Sequence, residues 1–326
     1  MNSRLIPRID LQCLHPHVAA NVQAADSIRR ACEEIGFFTV TGHGVPEHVL
    51  NACRDISLDF FRLPGPEKLK IKLTSPGSPY GYSAMANESL ARSRGNRTPP
   101  DLKESFSIGP SEPTAHPVDC EEAIFISTPN LWPTQLKGFR ETFEAYYRAM
   151  AHLAEYLMCL FAIGLELPDK YFTNYIQNPI SALRANYYPP LSSPPLPGQL
   201  RAGAHSDYGT LTILLQTHRE ESLEIQNLDG EWIPINAGSP DLIVNIGDLM
   251  ARWTNNRWVS SLHRVIIPNE ELSRSPERLS LAFFHQPDWD AEIRCIPSCL
   301  PPGEKPFYPP ITSGQYLMEK FHSTVL

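Results

Sequence analysis

Residues 203–213 read Gly-Ala-His-Ser-Asp-Tyr-Gly-Thr-Leu-Thr-Ile. His205 and Asp207 stand two apart, and the stretch runs on into β-forming residues. In an extended segment alternate side chains share a face, so this spacing points an imidazole and a carboxylate the same way. Together they hold two corners of a metal site and need a third ligand from elsewhere. The same pair also suits a surface turn or a hydrogen-bonded polar couple. The rest of the chain has to decide.

Around this stretch, from residue 180 onward, short apolar runs alternate with turns. Strands are expected at 181–188, 199–204, 210–216, 223–227, 232–235, 242–246, 259–267 and 279–285. Asp229-Gly230 is a hairpin turn between two of them. Eight short strands at this spacing predict a sandwich or barrel such as a jelly roll. Upstream, residues 134–163 repeat Phe139, Phe143, Met150, Leu153, Leu157 and Leu160 at helical spacing, which predicts a long supporting helix packed on a sheet. Nearer the N-terminus, residues 6–11 read as an edge strand, 22–35 as a helix and 37–40 as a strand. Pro46 opens a second helix, and a short third one at 66–73 carries its basic residues on a solvated face. Residues 74–103 read as a long loop, and order resumes at 103–108 with Phe106 and Ile108 on one strand face. The fold class is mainly β with flanking helices. Residues 1–125 form an α/β region, and 126–326 form the helix and β core of one compact unit.

The formal net charge of −8 over 326 residues argues against a nucleic-acid partner. Seven cysteines, an odd number with no Cys-x-x-Cys pair, argue against a disulfide framework or a structural zinc. The opening residues lack an apolar signal segment, and no apolar run is long enough to span a bilayer. A cytoplasmic protein with no membrane partner is expected. The oligomeric state is not legible.

Further polar residues recur at strand spacing in the β core. His263 lies within 259–267, 56 residues past Asp207 (263 − 207). Arg278 and Ser280 stand two apart, as do Asn186 and Tyr188, and Asn245-Ile-Gly-Asp248 ends a strand in a tight turn. Each has an ordinary reading: His263 as a core histidine, Arg278 as a loop cation, Asn245 as a turn cap. Together they describe a barrel with a polar interior, which a folding core alone does not use. Two histidines and one carboxylate are the donor set of non-haem Fe(II) oxygenases and leave three positions open. A guanidinium fork beside a hydroxyl suits a carboxylate.

On these residues the chain resembles the isopenicillin-N-synthase-like branch of the 2-oxoglutarate/Fe(II)-dependent dioxygenases. His205-Ser-Asp207, His263 and Arg278-Leu-Ser280 match that family's H-x-D…H…R-x-S pattern. Asn186-Tyr-Tyr188-Pro-Pro, Asp229-Gly-Glu-Trp232, Asn245-Ile-Gly-Asp248, Gly36-Phe-Phe38 and Gly42-His-Gly44 match as well. The resemblance implies a double-stranded β-helix (jelly-roll) core. It implies iron on His205, Asp207 and His263, and 2-oxoglutarate held by Arg278 and Ser280 with help from Tyr188 and Asn186. With O2, the reaction would oxidise a small, apolar organic substrate by hydroxylation, desaturation or ring formation. Tyr80, Phe106, Ile108 and Phe284 are expected as apolar pocket walls, with Leu317 as a lid. Ser222 departs from the family, where many members carry Gly, and is expected to matter little. Residues 83–102 match no part of the pattern. Two alternatives stay open: a same-fold oxidase that does not use 2-oxoglutarate, and a non-catalytic binding relative.

Overall fold

The computed structural model describes residues 6–11, 18–73, 79–95, 98–112, 125–191, 193–217, 222–235, 237, 239–267 and 277–322. Two facing sheets make the jelly roll. The larger runs β1 (Arg8–Asp10), β2 (Phe37–Thr41), β10 (Leu242–Ile246), β7 (Leu211–Gln216), β12 (Arg278–His285), β5 (Ala182–Tyr188), β4 (Glu104–Ile108) and β3 (Gly81–Ser83) in that spatial order. The smaller runs β6 (Ala202–His205), β11 (His263–Val265), β8 (Leu223–Gln226) and β9 (Trp232–Ile235). A short pair, β13 (Glu292–Ile293) and β14 (Ile311–Thr312), stands apart. The N-terminal strands thus extend the same sheet that carries the β core. β1 lies at its edge, where the missing N–H of Pro7 costs no ladder bond.

Strand alternation sorts the large sheet into two chemistries. Leu183, Ala185 and Tyr187 of β5, Leu279, Leu281 and Phe283 of β12, and Leu211, Ile213 and Leu215 of β7 join one apolar core. The outer side of that core is α4 (Phe139–Gly164), against which α1 (Val18–Glu34) and α2 (Glu47–Phe61) pack. The alternate residues of the same strands point between the sheets and line a cavity. An all-apolar barrel would need no such division, so the sheet's polar face is built for something other than packing.

Several expectations change in detail. The long helix begins at Phe139 rather than residue 134, because Gly138 adopts φ 80° at its start. The stretch read as a loop over 74–103 holds β3 and a 3-10 turn, Leu90–Arg94, where it is described. Its residues 74–78 and 96–97 lie outside the described set. The third helix is only α3, Gly65–Leu69, and its Lys68 is buried, donating to Phe61 O (2.9 Å) and to Glu104 (2.5 Å). A lysine with a carboxylate waiting on the adjacent strand can be buried; pattern reading sees only the lysine. The strand expected over 259–267 pairs only at His263–Val265, with a register shift between those two residues. Two helices were not anticipated: α5 (Asp248–Trp253), directly after β10, and α6 (Ser313–His322).

Phe106 and Ile108 are corrected from pocket wall to core. They are 0% and 1% exposed, and Phe106 packs on Phe60, Phe139 and Phe143. The opposite face of β4 looks into the cavity through Ser107, next to Lys103 just before the strand. Period 2 paired Phe106 with Ile108 but could not say which face meets the helix.

Candidate metal and 2-oxoglutarate site

His205 ends β6, and Asp207 lies just past it, outside the ladder. The two therefore do not share a face by strand alternation, as the spacing suggested. They converge because the chain turns after His205. The turn is fixed from behind: Asp248 N–H donates to Asp207 O at 2.7 Å, and Leu249 N–H donates to Tyr208 O at 3.2 Å. That close approach needs glycine, since a Cβ on Gly247 would lie 2.1 Å from Gly209 O. The third residue comes across the small sheet, where His263 on β11 pairs directly with His205 on β6. Their ring centroids are 4.3 Å apart. One donor atom from each of His205, Asp207 and His263 lies within 4.8 Å of the other two.

The hydrogen bonds aim these atoms. Asp207 Oδ2 accepts from Thr212 Oγ1 (2.6 Å) and Asn245 Nδ2 (2.7 Å). That leaves Oδ1 facing His205 Nε2 at 3.9 Å and His263 Nε2 at 3.7 Å. His205 Nδ1 lies 2.8 Å from Gly203 O, and His263 Nδ1 lies 3.3 Å from Ser261 O. A carbonyl can only accept, so each Nδ1 carries a proton, which leaves Nε2 as the ligating nitrogen of the neutral ring. Burial lowers the pKa of His205, and the neighbouring His263 adds to that, which favours the neutral, ligating imidazole. Burial alone would raise the Asp207 carboxyl. The attraction of His263 and His205 in their protonated form, together with the bonds from Asn245 and Thr212, outweighs it and lowers the Asp207 pKa. Two imidazole Nε2 atoms and one carboxylate oxygen, aimed at one point, fit Fe(II) and leave other positions open.

Thr212 has no mark in the sequence beyond its place in a β-rich run. Asn245 looked like a turn cap, and the structure gives it a second job on Asp207. Outer partners of this kind are worth roughly 10–100-fold in metal affinity. Thr212→Val combined with Asn245→Leu is therefore expected to weaken iron binding by about that factor. Anaerobic Fe(II) titration checks it; an unchanged affinity would remove both residues from the role.

A second cluster lies along the same cavity. Register places Arg278 opposite Tyr188, and Ser280 opposite both Asn186 and Gln216. Arg278 is 6% exposed, so it is not a loop cation. Its guanidinium lies over the Tyr188 ring at 5.4 Å. Nη1 donates to Ser222 Oγ, and Nη2 donates to the Gln216 side-chain oxygen (3.1 Å). Ser222, expected to matter little, thus touches the residue expected to hold 2-oxoglutarate. Residues 275 and 276, which precede this strand, lie outside the described set.

All this surrounds one cavity of about 210 Å³. Tyr80, Phe284 and Leu317 line it, as expected. Leu317 belongs to α6, and that helix is tied to the metal turn: Lys320 Nζ donates to Asp248 at 2.8 Å, and Ser206 and Ser260 donate to the same carboxylate. His285 is buried and pairs through Nδ1 with Thr210 Oγ1 at 2.6 Å. The cavity wall also holds Lys103 and Arg184, which the sequence reading passed over.

Comparison with known proteins gives consistent results. Residues 6–135 match the family model described as "non-haem dioxygenase in morphine synthesis N-terminal", and residues 179–287 match "2OG-Fe(II) oxygenase superfamily". A 2-oxoglutarate-Fe(II) type oxidoreductase of Emericella nidulans is 32% identical, over 90% of this chain and 82% of that one. A validamycin A dioxygenase of Streptomyces hygroscopicus subsp. limoneus is 30% identical, over 97% and 85%. A full-length Neurospora crassa protein, crystallised in complex with alpha-KG, superposes with a TM-score of 0.86 at 29% identity, covering 99% of this chain and 98% of that one. The same Neurospora protein has also been crystallised with alpha-KG and thymine.

Proposed function

The chain belongs to the 2OG-Fe(II) oxygenase superfamily, and from that premise we propose that His205, Asp207 and His263 hold its iron while Arg278 and Ser280 hold 2-oxoglutarate. It is a 2-oxoglutarate- and Fe(II)-dependent dioxygenase acting on small molecules. The observation that carries the residue assignment is the double hydrogen bond to Asp207 Oδ2, which turns Oδ1 toward both Nε2 atoms. When bound, iron supplies the O2 chemistry that couples conversion of 2-oxoglutarate to succinate and CO2 with oxidation of one substrate bond.

The chain's own residues do the rest. Arg278 offers a guanidinium held in place by Ser222, Gln216 and the Tyr188 ring, and Ser280 adds a hydroxyl two residues on. Together they orient the far carboxylate of 2-oxoglutarate, with Tyr188 and Asn186 beside it. Such pre-placement spares the reaction the entropy of finding its geometry. Tyr80, Phe284 and Leu317 exclude water and position the substrate. In this reading residues 126–326 form the catalytic core, and residues 1–125 buttress it and lend Tyr80. Hydroxylation is the simplest outcome, with desaturation or ring formation open to the same site. The five described cysteines are free thiols, which suits a reducing, cytoplasmic setting. No helix among the described residues is long and apolar enough to cross a membrane.

The test is succinate release under air with Fe(II) and ascorbate. Succinate is expected only when iron and 2-oxoglutarate are both present, and stimulated by a true substrate. Substrate oxidation without succinate would mean an oxidase that does not use 2-oxoglutarate.

A further inference from the structure

We propose that the substrate carries a carboxylate, received by Arg184 and Lys103 on the cavity wall away from Arg278; the proposal rests on the dioxygenase reading above. β5 turns Ala182, Arg184, Asn186 and Tyr188 into the cavity. Tyr188 and Asn186 face Arg278 and Ser280 across the ladder. Arg184 sits four residues before Tyr188, roughly 13 Å along the strand. Its neighbours there are Ala282 and Ser107. The cavity therefore has a cation at each end of this row, and 2-oxoglutarate needs only one of them.

The wiring of the second end favours an anion. Arg184 Nε donates to Ser107 Oγ (2.9 Å), and Nη1 donates to Glu88 (3.3 Å). Nη2 has no hydrogen-bond partner among the described residues. Lys103 is 6% exposed and reaches Glu88 Oε2 (3.1 Å) and Asn186 Oδ1 (3.5 Å), leaving one of three ammonium donors. Glu88 serves both cations at once. Burial works against its charge, but Arg184 and Lys103 outweigh that and hold it ionised, with a pKa of about 2. Asp101 also faces Lys103. Its oxygens already accept Leu90 N–H (3.1 Å) and Gly203 N–H (3.0 Å), and burial raises its carboxyl. Buried Lys103 and quarter-exposed Arg184 thus share the Glu88 carboxylate, with donors left over. Arg184 and Lys103 line the same cavity as His205, Asp207 and His263. A carboxylate docked here would lie within the same small cavity as the iron ligands. The apolar walls would then hold the body of an organic acid rather than a fully apolar molecule.

The probes are benzoate, benzamide and benzylamine, one ring with three head groups. Each is titrated calorimetrically into the anaerobic Fe(II) protein at two saturating 2-oxoglutarate concentrations. Benzoate is expected to bind about ten- to hundredfold more tightly than either of the others, the usual value of a charge-assisted bond. Its affinity should not depend on the 2-oxoglutarate level, since it does not occupy the Arg278 end. Arg184→Gln should bring benzoate down to the level of benzamide, whereas Arg184→Lys should keep part of the preference. Equal binding of amide or amine, no saturable benzoate binding, or competition with 2-oxoglutarate would overturn the proposal on the unmodified protein alone. Iron-dependent succinate release from the same preparation keeps the two readings apart. If release is present and the acid preference absent, only the substrate class fails.

Discussion

Asp207→Ala is expected to remove iron binding and turnover together. The substitution deletes one of three converging donors and also the group that receives Thr212 and Asn245. Removing an outer partner of a ligand costs roughly 10–100-fold in affinity, so removing the ligand itself should exceed about 100-fold. The two imidazoles stay, since they are fixed by Gly203 O and Ser261 O and not by Asp207. The fold should therefore survive, and near-native thermal unfolding with lost iron binding would distinguish a site defect from collapse. Full turnover of the variant with iron in excess would disprove the ligand set.

Arg278→Ala should have a different signature. Losing one charge-assisted contact to a carboxylate costs about 1.5–3 kcal/mol. The 2-oxoglutarate requirement should rise roughly ten- to hundredfold while Fe(II) affinity hardly changes. Arg278 sits among Tyr188, Ser222 and Gln216, and no donor in that group replaces its charge. Steady-state measurement of succinate against 2-oxoglutarate concentration reads the shift. An unchanged requirement would take Arg278 out of the role.

Much of this was legible in the chain because local chemistry marked it. The strands at 232–235 and 242–246 fall where the pattern put them. Gly230 makes the hairpin turn at φ 82°, with Asn227 bonded to Glu231 across it. His205, Asp207 and His263 were legible as residue types, but their meeting depends on a cross-strand pair between β6 and β11 that no spacing encodes. What stayed hidden is tertiary in the same way. Thr212 matters only because β7 runs beside Asp207. Arg184 and Lys103 look like strand-end cations until Glu88, nearly a hundred positions before Arg184, is seen to pair with both. The face of Phe106 was set by where the long helix lies, and the sequence carries no record of that.

The most direct test is anomalous diffraction at the iron edge from crystals grown anaerobically with Fe(II) and 2-oxoglutarate. The account predicts one strong peak about 2 Å from His205 Nε2, His263 Nε2 and Asp207 Oδ1, the usual length of a first-row metal bond to these donors. A peak bound elsewhere, or one that leaves His263 out of contact, would contradict it.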